Sequence, residues 1–296
     1  MVALPTIELR NAGSLLAVCP DTGGTIARYV WRNHDILRPA PETAIRERRV
    51  RQMACYPLVP YSNRIADAFL LEGGRRHRLR ANAPPEAHAL HGFGWQRPWQ
   101  VASREADALT LTLLHGADED WPFACEAVQT FRLMEDQLQL GLSLRNTGVY
   151  AMPAGLGFHP YFPLSPGTTL QAEWKSMWTM DVDSLPSELT PISAELDFSR
   201  ARPVSGWKVD NCFTGWNGYA ALDYATHCVR IEAGEACRTI VCFAPADGRD
   251  FIALEPVTHV NNAFALEAEG VANTGVRTLR PGESFDISIL IRIEAH

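Results

Sequence analysis

The chain reads as an all-β protein, an antiparallel β-sandwich with few short helices. Three observations carry that reading: sustained period-two alternation of apolar residues, turn chemistry where strands reverse, and a near absence of helical periodicity. The alternation is clearest at Leu109, Leu111 and Leu113, at Leu138, Leu140, Leu142 and Leu144, and at Phe285, Ile287, Ile289, Ile291 and Ile293. Successive side chains of a strand point to opposite faces, so each segment has one apolar face to bury. Turn residues fall at Glu72-Gly73-Gly74, Asn146-Thr147-Gly148 and Arg280-Pro281-Gly282. The basic run from Arg75 to Arg80 follows the first of these and reads as the returning strand of a hairpin with a solvated face. With no linker, repeat or break in composition, residues 1–296 are expected to form one domain.

Composition narrows the function classes. Of 296 residues, 46% are apolar and 21% charged, enough to bury a sizeable core. A net charge of -7 argues against a nucleic-acid binder, because phosphate binding needs clustered Lys and Arg. No apolar run approaches the roughly 18 residues of a membrane helix, and Leu15 to Cys19 is too short for a signal peptide. Seven scattered cysteines without a Cys-x-x-Cys pair fit a reducing cytoplasm better than a disulfide scaffold or a thiolate zinc site. The expectation is a cytoplasmic protein acting on a small molecule, with no nucleic-acid or membrane partner.

Five segments combine titratable residues with Gly, Pro or aromatic neighbours: Tyr61-Ser62-Asn63-Arg64-Ile65, the run from His88 through His91-Gly92 to Gly94, Gly157-Phe158-His159-Pro160-Tyr161-Phe162, Val209-Asp210-Asn211-Cys212-Phe213, and Leu254-Glu255-Pro256-Val257-Thr258-His259. His159, between Phe158 and Pro160, is an odd choice for simple packing, and its plain reading is a hydrogen-bonded, half-buried histidine. Glu255 ends the apolar run Phe251-Ile252-Ala253-Leu254, where an ionised carboxylate is costly without a partner, so it is a structural ion pair or a general base. Arg64 can serve as a structural tie, and Asp210-Asn211 can shape a turn. His88-x-x-His91 has metal-ligand spacing, and His159, Glu255 and His259 could complete a sphere. Residues three apart on a strand point to opposite faces, however, so no metal is expected.

In this order, the five segments resemble the aldose 1-epimerase (galactose mutarotase) family, with its Asn-Arg, His-Gly, His-Pro-Tyr-Phe, Asp-centred turn and late Glu-Pro. The resemblance runs from Gly23-Gly24 to Leu279-Arg280-Pro281-Gly282-Glu283. It implies a β-supersandwich with an open sugar cleft, no cofactor, and interconversion of the α and β anomers of a free aldose by acid-base ring opening. Carried over by motif, Glu255 is similar to the general base, His159 to the general acid and His91 to a second histidine at the reacting centre. Arg64 and Asp210 look like ligands of sugar hydroxyls, with Asn63 and Tyr161 beside them as substrate-binding residues. The sequence departs from the commoner pattern at His91-Gly92-Phe93-Gly94-Trp95, where His-Gly-Gly is usual, and at Asn211-Cys212-Phe213, where Asp is followed by His in the animal enzymes.

The chemistry suits those residue types. Opening a cyclic hemiacetal requires removal of the C1 hydroxyl proton and protonation of the ring oxygen, for which a carboxylate and an imidazolium on opposite sides are expected, each worth about 10²–10⁴ in rate. No P-loop, dinucleotide fingerprint or nucleophile elbow is present. Two alternatives stay open: a non-catalytic sugar-binding or sugar-sensing protein, and a mutarotase of hexose phosphates using Arg64 and the Arg75 to Arg80 strand. Sequence leaves undecided the sugar, the choice between monomer and homodimer, and the roles of His88, His259, Trp95 and Trp216.

Overall fold

A computed structural model describes residues 5–245 and 247–296. Antiparallel strands dominate, and the helices are Glu42–Arg46 and Ala263–Ala268 with two short 3-10 turns, Val50–Gln52 and Ala66–Ala68. Among the described residues, no helix is long and apolar enough to cross a membrane.

Two large sheets form the body. The nine-stranded sheet runs, edge to edge, through Gln100–Arg104, Ala108–His115, Cys125–Met134, Gln137–Asn146, Ser284–Ala295, His227–Ala233, Tyr219–Asp223, Thr169–Ala172 and Arg202–Pro203. The eight-stranded sheet runs through Pro186–Pro191, Ser176–Met180, Val209–Thr214, Thr239–Ala244, Phe251–Val257, Gly157–Phe158 and Pro57–Leu58, with Tyr161–Pro163 also pairing with Phe251–Val257. A four-stranded sheet at the N-terminal end comprises Ile7–Arg10, Ser14–Cys19, Thr25–Trp31 and His34–Asp35.

Two strands read from the sequence prove to be direct neighbours. Leu138, Leu140, Leu142 and Leu144 stand opposite Ile291, Ile289, Ile287 and Phe285. Registered partners share a face, so the two apolar stripes merge into one. The leucines and isoleucines there are nearly inaccessible and join Ile240, Ile252, Leu254, Phe158 and Phe213 of the other sheet in one apolar cluster. The sandwich core therefore lies between the two sheets, where each fully buried side chain of this size stabilises the fold by about 1.5–3 kcal/mol.

The hairpin after Phe69–Glu72 forms as expected. Its two turn glycines, Gly73 and Gly74, have φ of 54° and 74°, as a tight two-residue hairpin requires, and Arg75–Arg78 returns with mostly exposed side chains. The Asn146 turn behaves differently. Its side-chain oxygen accepts from the Gly148 N–H, and its amide donates to the carbonyls of Tyr150 and Leu279, so the chain leaves the sheet there to pair Met152–Ala154 with Arg277–Leu279.

Candidate active site

The strand Phe251–Val257 is buried along its whole length. Ile252 and Leu254 face the inter-sheet core, whereas Phe251, Ala253 and Val257 belong to a second apolar cluster with Tyr56, Leu58, Trp95, Tyr161, Trp178 and Cys212. Register places Cys212, Val241 and Glu255 in one row across the sheet, and Asp210, Phe243, Ala253 and Tyr161 in the next. Glu255, Asp210 and Tyr161 therefore share the face turned away from the sandwich core. Asp210 lies within the strand Val209–Thr214, not in a turn as one sequence reading had it; pairing with Phe243 sets its direction.

Glu255 meets His159 directly, Oε1 to Nε2 at 3.0 Å, with the side chains 3% and 7% exposed. The backbone N–H of His159 donates to the Tyr56 carbonyl at 3.0 Å, which fixes the imidazole over the sheet. Its ring lies 4.6 Å from that of Tyr56 and 4.4 Å from that of Tyr161, and the Tyr161 hydroxyl is 3.4 Å from the same Nε2. Burial, reinforced by Asp210, pushes the Glu255 carboxyl well above the usual range, with Arg64 opposing. Burial also drives His159 well below its ordinary value, with His91 and Arg38 adding to the effect. Glu255 Oε2 and His159 Nδ1 are buried with no protein partner, a costly state that is concentrated at functional sites.

His91 enters from a loop. It has φ +58°, and Asn63, at φ +57°, clamps it: the Asn63 N–H donates to His91 Nδ1 at 3.0 Å while the His91 N–H donates to the Asn63 carbonyl at 2.9 Å. An Nδ1 that accepts a hydrogen bond leaves the neutral ring its proton on Nε2. Burial, helped by Arg64 and Arg51, holds His91 down at about 3, so it is a neutral donor. Gly92 follows at φ +69°, and a Cβ there would lie 2.2 Å from the Val59 carbonyl oxygen. That contact accounts for Gly in the His-Gly pair. The ring centroids of His91 and His159 are 5.5 Å apart.

Arg64 is held by Glu86, Nε to Oε2 at 3.0 Å and Nη2 to Oε1 at 3.2 Å, a bidentate pair that fixes the guanidinium plane. The Asn63 side-chain oxygen accepts from the Arg64 backbone N–H at 2.9 Å. Asn63 is thus occupied with its neighbours. Asp210 presents open surface, yet the protein bulk around it raises its carboxyl, with Arg64 pulling down and Glu86 adding to the rise.

The remaining histidines and tryptophans have local duties. His88 Nδ1 accepts from the Asp67 N–H at 3.0 Å. His259 Nδ1 meets the Val260 carbonyl at 2.7 Å, and its Nε2 accepts from the Ser62 N–H at 3.0 Å, so both nitrogens are used and the ring ties two distant segments together. Among the described residues, no group of three or more His, Cys, Asp or Glu is disposed to hold a metal ion. Trp95 stacks on Tyr56 at 5.7 Å and belongs to the floor of the site, whereas Trp216 is fully buried and donates to the Tyr219 carbonyl. Arg76 and Arg78 lie over Phe69, and Arg80 pairs with Glu119 and Asp120, contacts that involve no residue of the site.

Sequence reasoning missed Tyr56 and Glu86. Tyr56 touches His91, Trp95, His159 and Tyr161 at once. Only its position before Pro57 and after an apolar run hinted at more than packing. Glu86 sits in the Pro84-Pro85-Glu86 loop, which carries no pattern linking it to Arg64.

Residues 5–292 match the family model of aldose 1-epimerase. The chain is 32% identical over 299 residues to the uncharacterized Escherichia coli K12 protein YphB, covering 98% of this chain and 99% of that one. A crystal structure from Escherichia coli K12 superposes with a TM-score of 0.89 at 30% identity, over 98% of this chain and 99% of the other. A galactose mutarotase-like protein from Clostridium acetobutylicum gives a TM-score of 0.85 at 20% identity, over 98% and 95%, a likeness of fold. With that fold, and with a family match that spans nearly its whole length, the chain belongs to the aldose 1-epimerase family.

Proposed function

We propose that the protein is a mutarotase, interconverting the α and β anomers of an aldose, with Glu255 and His159 as its acid-base pair. The observation that carries this reading is the 3.0 Å contact between a buried carboxyl and a buried imidazole, each with a further polar atom left without a partner. The two oxygens that exchange protons are both bonded to C1, so an acid and a base side by side serve the reaction better than groups facing each other across the sugar.

The pair holds one proton. Burial favours the uncharged arrangement, with the proton on the carboxyl, and its transfer along the Nε2···Oε1 contact gives carboxylate and imidazolium without drawing on bulk water. The carboxylate of Glu255 then takes the O1 proton as the imidazolium of His159 protonates the ring oxygen. The C1–O5 bond breaks and the C1=O1 bond forms. After rotation about C1–C2 the steps reverse: imidazole removes the O5 proton, O5 attacks the other face of C1, and the carboxyl returns a proton to O1. His91 offers Nε2–H as a fixed donor to a sugar oxygen. Arg64, steadied by Glu86 and Asn63, and Asp210 grip hydroxyls, and Tyr161 lines the floor.

The test is polarimetry or NMR on freshly dissolved α-anomers of galactose, glucose, arabinose, xylose and fucose. Equilibration of at least one sugar should accelerate in proportion to protein concentration. Sugar binding with no acceleration would instead make the protein a sugar-binding member of the family.

A further inference from the structure

Asn261 is 2% exposed, yet its side chain makes no hydrogen bond among the described residues, and its Oδ1 is closed off from solvent. A primary amide carries two donors and an acceptor oxygen, and burying such a group without partners costs about 1–3 kcal/mol. The other polar residues of this loop, which follows the Glu255 strand, are all engaged. Thr258 bonds Leu156 twice: its N–H donates to the Leu156 carbonyl at 2.9 Å, and its hydroxyl accepts from the Leu156 N–H at 3.0 Å. His259 accepts from the Ser62 N–H, and the Val260 N–H donates to the Thr274 carbonyl at 2.9 Å. The Asn262 N–H donates to the Arg64 carbonyl at 3.0 Å, and its side-chain oxygen accepts from the Ala66 N–H at 3.1 Å. These bonds fix the loop, and within residues 258–262 Asn261 alone leaves its polar side chain unbonded.

Two contacts set its position. A backbone hydrogen bond from Asn261 reaches the Cys212 thiol, and the next residue is tied to Arg64. Cys212 lies in the row of Glu255 with Val241 between them, a separation of about 10 Å at the usual strand spacing. Along its own strand Cys212 is two residues from Asp210 and shares its face. Tyr161 pairs with the opposite edge of the Glu255 strand, so it and His159 occupy the other flank of the carboxyl. The Asn261 loop therefore lies across from His159, on the flank that carries Arg64 and Asp210.

We propose that Asn261 is a specificity-determining residue, whose amide hydrogen-bonds one hydroxyl of the aldose while C1 lies against Glu255 and His159. The proposal rests on the mutarotase reading and adds to it a residue that reads the hydroxyl pattern. A buried polar group discriminates more sharply than an apolar wall, because a sugar without the matching hydroxyl leaves the group unpaired. The same lack of a partner within the chain makes Asn261 a burden on the folded protein, as residues kept for function commonly are.

The experiment takes the fastest-reacting sugar among galactose, glucose, arabinose, xylose and fucose, together with its monodeoxy analogues. Mutarotation is followed by NMR with the spontaneous rate subtracted. Asn261→Ala should lower kcat/KM for the parent sugar about tenfold or more, chiefly through KM. With one analogue, that lacking the hydroxyl held by the amide, wild type and variant should agree within about twofold. Asn261→Leu, which keeps the branching at Cγ, should show the same kinetic loss with a urea midpoint equal to or above that of wild type. An unchanged kcat/KM in the Ala variant, or an equal loss with every analogue, overturns the proposal. So does a Leu variant less stable than wild type, which would place the partner of the amide inside the protein. If none of the five sugars is turned over, the mutarotase reading fails by itself. Calorimetry of the same five on wild type and Asn261→Ala then reads the contact: weaker binding by the variant upholds it, and equal binding, or none to wild type, overturns it.

Discussion

The carboxyl of Glu255 and the imidazole of His159 touch at 3.0 Å on the face of the sheet that the sandwich core does not use. Glu255→Gln keeps the shape and much of the hydrogen bonding but cannot accept a proton. It should lower kcat by about 10²-fold or more while sugar still binds and the far-ultraviolet spectrum is unchanged. His159→Asn should behave alike. If the two act on one shared proton, as proposed, the double variant should be far less impaired than the product of the single losses. Unaltered mutarotation by Glu255→Gln would remove the carboxyl from the mechanism.

His91 should make no contribution to the pH profile above about pH 5. Its Nδ1 is taken by the Asn63 N–H and its pKa is held down at about 3, so its charge does not change in the working range. Nitrogen-15 NMR should show a single neutral tautomer with the proton on Nε2 from pH 5 to 8. An imidazolium signal near pH 6 would contradict the clamp.

Glu86 should matter through Arg64. Glu86→Gln weakens the bidentate hold without removing a cation from the site, and should raise KM more than it lowers kcat. Once Arg64 is replaced by Ala, adding Glu86→Gln should have little further effect. An equal penalty in both backgrounds would give Glu86 a role of its own.

Buried neutral histidines make stability depend on pH. His91 and His259 are held down at about 3 and about 4 by burial, so the folded state refuses protons that the unfolded chain takes up near 6.5. Their contribution is complete above about pH 6.5 and is lost as pH falls toward those values, each at about 1.4 kcal/mol per pH unit. Glu255 is shifted upward and works in the opposite sense, while His159, shifted downward, acts with the other two histidines. Urea titrations at pH 7.5 and 5 should show the acid condition less stable. A protein more stable at pH 5 than at pH 7.5 would contradict the burial of these histidines in neutral form.

Gly155 packs against the ring of His259, and a Cβ at that position would lie 1.8 Å from its Cδ2. Gly155→Ala should displace the imidazole, break its bond to the Ser62 N–H and lower the melting temperature sharply, to an extent reserved for overpacked cores. A thermal scan close to wild type would mean that the segment yields freely.

The strands at Leu138–Leu144 and Phe285–Ile293 were legible because one face is apolar and the other polar, which is what alternation reports. Their adjacency was not, since pairing across the length of the chain leaves no local mark. Phe251–Val257 shows a further limit: with both faces covered, the alternation between core and site is hidden inside one apolar run, and Glu255 stood out only as a charge within it. His91, His159 and Arg64 could be picked out because Gly, Pro and Asn beside them mark special backbone. Glu86 and Tyr56 owe their positions to contacts with other segments, as Arg64 and Glu86, 22 residues apart, illustrate. The expectation of acid and base on opposite sides gave way because register and the His159 backbone bond bring both to the same spot.

The strand that carries Glu255 is bonded to neighbours along both edges and covered on both faces, while His91 hangs from a left-handed turn. Amide hydrogens in such a strand exchange only when the whole domain opens, whereas those of a loop exchange through small local fluctuations. Glu255 is therefore set where amides should be among the slowest to exchange, and the His91 turn, held by Asn63, should exchange sooner.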